Sequence, residues 1–247
     1  DVKRLDIEDR NCDILGDCFE HILGHLSTAG DFGQFRTPRH IVKFLVEAVS
    51  PQAGETVLDP ACGTAGFLIA AHVYRRSRNG SYLGDECDWT MARIASANLV
   101  LHGIRAATIR KRDALAELSP EADIILTNPP FAGTVSTGRQ EALGIASSKS
   151  ELLFLALMLR RLKTGGRAGS VVPFSVLTSP ARPAVCLRQK LVEENSLTAV
   201  IELPSGVFRP YTDVRTALLL WDRRRSKSTV LMMRAKSDGY SLDERRE

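Results

Sequence analysis

The residues best suited to chemistry in this sequence are Asn128-Pro129-Pro130-Phe131, which directly follow the apolar run 123–127. The run predicts a buried parallel strand, and open α/β sheets build their ligand sites beyond the carboxyl ends of such strands. The tetrapeptide offers an amide side chain, two rigid prolines and an aromatic face. These groups suit a planar substrate that carries an amino group, and all four residues are predicted to be catalytic.

An amino group on an aromatic base is a poor nucleophile because its lone pair is delocalised into the ring. Two acceptors that face its two hydrogens would localise that lone pair. The side-chain oxygen of Asn128 and the carbonyl of Pro129 could be those acceptors, since proline presets the carbonyl direction. Phe131 could stack on the base. Such preorganised dipoles act on the transition state and need no strong base.

A second segment, residues 59–66, follows another predicted strand at 56–59. Gly63 and Gly66 allow a tight turn from strand to helix and a close backbone approach to a ligand. Asp59 could accept a hydrogen bond from an amine. Neither a GxGxxG pattern nor a Walker pattern occurs, which disfavours ATP. The predicted ligand contacts in this turn are Asp59, Pro60, Ala61, Gly63, Thr64 and Gly66.

Two further acids lie at the next predicted strands: Glu86 ends the strand 82–86, and Asp113 follows the strand 108–111. Glu86 could accept hydrogen bonds from both hydroxyls of a ribose, and Asp113 from the amino group of an adenine. Local roles remain open: Glu86 could cap its strand or pair with an arginine, and Asp113 could be an N-cap. With the glycine turn, the acids favour a nucleoside cofactor. With Asn128, they favour methyl transfer from S-adenosylmethionine to an exocyclic amine.

Composition indicates an ordinary globular protein of 247 residues, 44% hydrophobic and 25% charged, with net charge +4. Local basic clusters permit a polyanionic partner. Five cysteines without a CxxC pair argue against a disulfide framework or a zinc site and fit a reducing cytoplasm. His21 and His25 lie four apart but lack the adjacent Glu of a metalloprotease helix, so no metal is expected. No apolar stretch is long enough to span a membrane.

Strand-length apolar runs alternate with helical patterns, which predicts an α/β fold with a mainly parallel sheet. A single domain is expected over 1–247, with N-terminal helices in 1–50 and the core in 51–234. The strands are predicted at 56–59, 82–86, 108–111, 123–127, 168–173, 197–203 and 214–221, with a possible edge strand at 229–234. The helices are predicted at 11–26, 38–49, 66–78, 89–102, 151–163 and 183–194, and Thr37 is expected to be the N-cap of the second of them. A long loop is predicted at 132–149.

Other enzyme classes lack their residues here. A cytosine-C5 methyltransferase needs a nucleophilic cysteine, usually after proline, and no Pro-Cys dipeptide occurs. No GxSxG segment is present to supply an acyl-transfer serine.

The sequence resembles the modification (M) subunit of type I restriction-modification systems, a gamma-class DNA adenine-N6 methyltransferase. The resemblance rests on Gly33-Gln34-Phe35-Arg36-Thr37-Pro38-Arg39, on residues 58–67 and on Asn128 to Phe131, in that order. Later blocks at 162–167, 203–208 and 238–243 extend it over nearly the whole chain. Arg112 stands where a glycine often precedes the acid at 113.

The resemblance implies a Rossmann-like S-adenosylmethionine-dependent methyltransferase fold with a seven-stranded sheet, its last strand antiparallel and helices on both faces. It implies methyl transfer to N6 of a flipped adenine in double-stranded DNA. The implied partners are a DNA-specificity (S) subunit, a restriction (R) subunit and a second M subunit, with flanking helical regions absent from this chain. The implied cofactor contacts are Gln34, Phe35, Thr37, Asp59, Pro60, Ala61, Gly63, Thr64, Gly66, Glu86, Asp113 and Asn128.

Two alternatives remain open at this point. An RNA or protein-glutamine amino-methyltransferase could use the same Asn-Pro-Pro-aromatic arrangement. The chain could also be a cofactor-binding scaffold subunit without catalysis. The later blocks favour DNA, and the presence of Asn128 with its prolines disfavours a scaffold.

Overall fold

An eight-stranded sheet forms the centre of the computed structural model, which describes residues 37–75, 79–131, 133, 143–194, 197–209, 211–223 and 229–242. The strands are β1 (Thr56–Asp59), β2 (Ser81–Glu86), β3 (Ala107–Lys111), β4 (Ala122–Thr127), β5 (Leu162–Pro173), β6 (Leu197–Glu202), β7 (Thr216–Asp222) and β8 (Leu231–Arg234). Their order across the sheet is β3-β2-β1-β4-β5-β7-β6-β8. Only β7 is antiparallel to its neighbours, β5 and β6.

The sheet differs from the expected one in its strand count and in its last strand. The possible strand at 229–234 is real and makes eight strands rather than seven. This last strand, β8, runs parallel to β6, so the antiparallel strand is the seventh of eight. All four residues of β8 are exposed. An edge strand with no buried face lacks the alternating pattern by which a strand is recognised.

Six helices flank the sheet in the described residues: α1 (Arg39–Val49), α2 (Gly66–Arg75), α3 (Trp89–Leu101), α4 (Ser150–Arg161), α5 (Ser175–Thr178) and α6 (Arg182–Glu193). Helices α1 to α3 share one buried apolar cluster and α4 to α6 another, so both faces are covered. Strand β4 explains this division, because Ile124 and Leu126 join the first cluster and Ile125 joins the second. The predicted helix at 11–26 lies outside the described residues.

Two boundaries differ from prediction around the glycine pair 165–166. The helix predicted to reach 163 ends at Arg161, and β5 begins at Leu162 rather than at 168. The pairing of β5 with β4 then jumps from Leu162 to Arg167, so the intervening residues bulge out of the ladder. Apolar periodicity cannot reveal such an irregular start, because the residues of the bulge are mostly polar or glycine.

A buried arginine on β5 fixes the position of α1. Arg167 donates hydrogen bonds to the carbonyls of Val49 and Ser50, each at 2.8 Å, and to both carboxylate oxygens of Glu55, also at 2.8 Å. Burial alone would raise the pKa of Glu55, but the bonds from Arg167 and the Gln52 amide bring it below its usual value. The C-terminal end of α1 is thereby tied to the edge of the sheet where the parallel strands begin. The first turn of α1 lies at the opposite edge, where those strands end.

That other edge is where seven of the strands end, since all except β7 point the same way. β1 and β4 are adjacent there, yet the chain leaves β1 toward β2 and leaves β4 toward β5. The strand order therefore reverses between them, and such a switch point opens a crevice suited to ligands.

Candidate active site

The main chain of the turn after β1 is held by hydrogen bonds to neighbouring elements. The Cys62 amide donates to the Asp85 carbonyl on β2 at 3.0 Å, and the side-chain amide of Asn98 on α3 donates to the Thr64 carbonyl at 2.8 Å. Gly63 has a positive φ of 50°, which glycine adopts without a steric cost. A Cβ placed on Gly63 or on Gly66 would meet no atom within 4 Å. Both glycines therefore face open space beside the switch point.

Glu86 joins this turn to the start of α3. One carboxylate oxygen accepts from the Gly63 amide at 3.0 Å, and the other accepts from the Asp88 amide at 2.8 Å. The residue is 7% exposed. The Cys87 thiol also lies 3.6 Å from this second oxygen, whereas the oxygen that faces Gly63 can accept a further hydrogen bond, so these contacts orient the group without exhausting it.

Asp59 links the turn to β4. Its Oδ1 accepts hydrogen bonds from the Thr127 hydroxyl at 2.7 Å and from the Ala61 amide at 3.1 Å. Burial raises the pKa of Asp59 to about 7; the two hydrogen bonds lower it, and the nearby charges of Glu86 and Asp85 raise it. A carboxyl group with this pKa changes its charge near neutrality.

Asp113 lies just beyond β3, and its side chain caps a short turn, which is one of the two roles considered for it above. Its side chain accepts from the Leu115 amide at 2.9 Å, and its carbonyl accepts from the amides of Ala116 and Glu117. The carboxylate therefore caps a turn on the β3 side of the crevice. A cap and a ligand contact are compatible, since a carboxylate accepts more than one bond.

Asn128 directly follows β4, and its side chain is oriented by the residue that precedes the N-cap of α1. Its Nδ2 donates to the Thr37 hydroxyl at 2.9 Å. Its Oδ1 is buried and has no hydrogen-bond donor among the described residues. Thr37 was expected to cap α1, but Pro38 is the N-cap residue and no side chain caps that end. The Thr37 hydroxyl is thus available to hold the Asn128 amide.

The backbone after Asn128 is fixed by a serine. Ser150, at the start of α4, donates its hydroxyl to the Pro130 carbonyl at 3.0 Å and accepts from the Gly133 amide at 3.0 Å. Pro129 is buried, and Phe131 is partly buried against the cluster of α1 to α3. The amide, the carbonyl of Pro129 and the aromatic ring therefore sit on a braced segment.

The structure thus brings Thr37 to Asn128, Thr127 to Asp59, and Gly63 to Glu86. Gln34, Phe35 and most of the 132–149 loop lie outside the described residues. Sequence reasoning missed three supporting residues: Asn98, Thr127 and Ser150. Each is a buried polar residue in or beside an apolar run, which is the signal that could have found it.

Comparisons with known proteins show the family to which this chain belongs. The sequence profile of the N-6 DNA methylase family matches residues 10–247. This chain belongs to that family. The EcoEI type I restriction enzyme methylase subunit of Escherichia coli is 33% identical over 228 residues, which cover 85% of this chain and 46% of that subunit. This N-6 DNA methylase chain therefore spans about half the length of that relative.

Solved structures resemble this N-6 DNA methylase over most of its length. The type I restriction-modification system methyltransferase subunit from Streptococcus thermophilus is 25% identical with a TM-score of 0.83, covering 98% of this chain and 56% of that one. A Listeria monocytogenes protein described as a class I S-adenosylmethionine-dependent methyltransferase is 19% identical with a TM-score of 0.74, covering 89% and 72%. The second likeness concerns the fold alone, and it confirms the predicted fold class. Within the described residues, no helix is long and apolar enough to cross a membrane.

Proposed function

We propose that this chain is the catalytic part of a DNA methyltransferase that uses S-adenosylmethionine to methylate N6 of adenine. The observation that carries the proposal is Asn128, whose amide nitrogen is held by Thr37 while its buried oxygen has no donor within the part of the chain that the structure describes. A buried acceptor left unpaired costs about 1–3 kcal/mol. An incoming amino group would remove that cost, so the site is complementary to a donor. Membership of the N-6 DNA methylase family supports the same reaction.

The cofactor fits the β1–β2–β3 side of the crevice. Open space beside Gly63 and Gly66 allows a ligand to approach the backbone closely. Buried Asp59 and Glu86 make the site acidic, which suits a ligand with a sulfonium and an ammonium group. When bound, the cofactor supplies a methyl group on a positively charged sulfur.

Each proposed cofactor contact has a distinct part. Glu86 accepts from the ribose hydroxyls, Asp113 from the adenine amino group and Asp59 from the ammonium of the methionine end. Pro60, Ala61 and Thr64 shape the turn around the glycines. Thr37, with Gln34 and Phe35 before it, borders the methionine end.

Asn128 and Pro129 act on the target base. The Asn128 oxygen and the Pro129 carbonyl accept hydrogen bonds from the two hydrogens of the adenine amino group, which localises the nitrogen lone pair. Phe131 stacks on the ring, and Pro130 keeps the segment rigid. The arrangement is electrostatic and preset, because Ser150 and Thr37 already hold it without substrate. The base must leave the duplex to reach this position.

Double-stranded DNA is the proposed substrate, and residues 1–247 are proposed to be one catalytic domain that works in the cytoplasm. The relatives are named as type I methylase subunits. By analogy, this chain would act with a specificity subunit, a restriction subunit and a second copy of itself. The specificity subunit would choose the DNA sequence, because the described residues contain no element of a known base-reading motif.

Labelled-methyl transfer by the full-length subunit with its specificity subunit tests the proposal. DNA, RNA and protein are offered separately, and the products are digested to nucleosides or amino acids. The proposal expects label only in DNA, as N6-methyladenine. Label in RNA or in glutamine would mean that the same site acts on a different substrate. Cofactor binding without transfer to any of them would identify a scaffold.

A further inference from the structure

Asp85 is a fully buried carboxylate that the proposed reaction does not use. It precedes Glu86 on β2, so the two side chains point to opposite faces of the sheet. One of its oxygens accepts the Ser119 hydroxyl at 2.5 Å. The other lies 2.7 Å from an Arg110 guanidinium nitrogen and 3.4 Å from Nε of Arg112. Asp85 therefore holds one hydroxyl by a hydrogen bond and pairs electrostatically with two guanidinium groups, which do not meet it at hydrogen-bonding angles.

These contacts enclose one segment of chain, residues 112–119. Arg112, at its start, also donates to the carbonyls of Leu118, at 2.5 Å, and of Glu117. Ser119 is at its end and is 1% exposed. The segment is thus closed into a loop whose two ends both meet the same carboxylate. Asp113 lies in that loop, immediately after Arg112.

The backbone of Asp85 reaches the other part of the cofactor site. Its carbonyl accepts the Cys62 amide in the glycine turn at 3.0 Å. One residue therefore connects the turn and the loop that carries Asp113. Buried ion pairs contribute little net stability compared with apolar packing. Such a cluster can instead fix the relative positions of the two segments that it connects.

We propose that Asp85 is a positioning residue that, through Ser119 and Arg112, aims the Asp113 carboxylate at the amino group of the cofactor's adenine. This inference rests on the proposed function, because it assumes that the crevice binds the cofactor. Asp113 contacts the adenine amino group, and the cluster around Asp85 orients that carboxylate without touching the ligand.

Calorimetry with two ligands tests this assignment. S-adenosylhomocysteine carries the adenine amino group, and its purine-riboside counterpart lacks only that group. A hydrogen bond to a charged acceptor corresponds to a preference of about 10- to 100-fold for the first ligand in the wild-type protein. In Asp85→Asn and in the milder Ser119→Ala, the preference should fall below about threefold, with affinity for the purine counterpart nearly unchanged. Arg110→Met removes a cation from the same carboxylate but leaves the 112–119 loop intact, so it should keep the preference.

The outcomes separate the two proposals. Wild-type protein that binds neither ligand would contradict cofactor binding, and the role of Asp85 with it. Wild-type preference that persists in Ser119→Ala and Asp85→Asn would overturn the role of Asp85 alone. Equal weakening of both ligands would also overturn it, because that pattern indicates general damage to the fold. Ser119→Ala decides the matter where Asp85→Asn does not fold.

Discussion

The two sides of the switch point between β1 and β4 differ in the charged side chains that they present at the same edge of the sheet, although Arg110 and Arg112 also lie on the first side and Glu202 and Asp213 on the second. On the side of β1, β2 and β3 lie Asp59, Glu86, Asp88 and Asp113. On the side of β4 to β8 lie three arginines with side chains 38%, 49% and 74% exposed: Arg209, Arg215 and Arg234. Arg215 and Arg234 share one carboxylate, Glu202, whose pKa they lower. A cleft of about 400 Å³ opens between them and Ser205.

This difference matches the charges of two different ligands. The acidic side suits a cationic cofactor, whereas phosphates of DNA would be repelled there and attracted to exposed arginines. The hydrogen bond between Thr127 and Asp59 crosses the boundary between the two sides. Under the proposed function, the cofactor would bind on one side and DNA on the other, with Asn128 where they meet. Substitutions on either side should affect one ligand and spare the other.

Glu86→Ala should have the largest effect on the acidic side. Two hydrogen bonds to a charged acceptor are lost, each corresponding to about 1.5–3 kcal/mol, so cofactor affinity should fall about 100-fold or more. Calorimetry measures this, and DNA affinity of the assembled complex should not change. Glu47→Ala, at an exposed acid on α1, is the control. Unchanged cofactor affinity in Glu86→Ala would remove Glu86 from the site.

The pKa of Asp59, about 7, makes the acidic side sensitive to pH. Protonated Asp59 has no charge to attract the cofactor's ammonium. Cofactor affinity should therefore fall by up to about tenfold per pH unit below pH 7. Asp59→Asn can still accept the same two hydrogen bonds and should give a flatter pH profile. A wild-type profile as flat as that of Asp59→Asn would contradict the prediction.

The same carboxyl group should affect stability in the opposite direction. Its folded pKa lies above the unfolded value of 3.8, so the folded chain binds the proton more tightly. Its contribution to the free energy of unfolding is full below about pH 4 and is lost as pH rises through about 7. Thermal unfolding of the cofactor-free protein across that range should show a decline that Asp59→Asn reduces. An identical decline in both proteins would assign it to other groups.

On the basic side, Arg215→Ala with Arg234→Ala should weaken DNA binding by about tenfold and leave cofactor affinity unchanged. Loss of two phosphate contacts should lower the salt slope of binding by about 2. A gel-shift series across salt concentrations with the full complex measures both quantities. Arg161→Ala with Lys163→Ala removes two ion-paired cations at the opposite edge and is the matched control. Equal effects of the two pairs would mean that DNA is not confined to the basic side.

Thr127→Val should have the smallest effect, because it removes one hydrogen bond between the sides. That bond lowers the pKa of Asp59, so the midpoint of the pH profile should move upward. Near pH 7 the result should be a loss of cofactor affinity of about threefold. A midpoint that stays in place would mean that Thr127 does not act on Asp59.

Sequence patterns predicted β1, β2 and β4 almost residue by residue, because the runs that form these strands end directly at Asp59, Glu86 and Thr127. The sequence-based predictions were less accurate for segments in which buried and exposed residues do not alternate regularly. The exposed strand β8 could only be suggested, and the polar start of β5 was read as the end of a helix. Local propensity is overridden there by pairing with distant strands.

The candidate site shows a similar division. Asn128 and the glycine turn were predicted because their residue types are unusual after a strand. Thr37 was predicted as a helix cap, and only the fold brings it 2.9 Å from Asn128, 91 residues away. Ser150 and Asp85 were missed for the same reason, since a single serine or aspartate acquires its role from long-range contacts.

Asn128→Ala tests most directly that the two sides meet at a catalytic amide. Single-turnover methyl transfer and cofactor affinity are measured on the full-length complex. The account predicts a rate lower by about 10²- to 10³-fold, with cofactor affinity within about threefold of wild type. Gln189→Ala, which removes an exposed side-chain amide from α6, should leave both unchanged. Transfer at the wild-type rate by Asn128→Ala, or a loss of transfer fully explained by lost cofactor binding, would contradict the account.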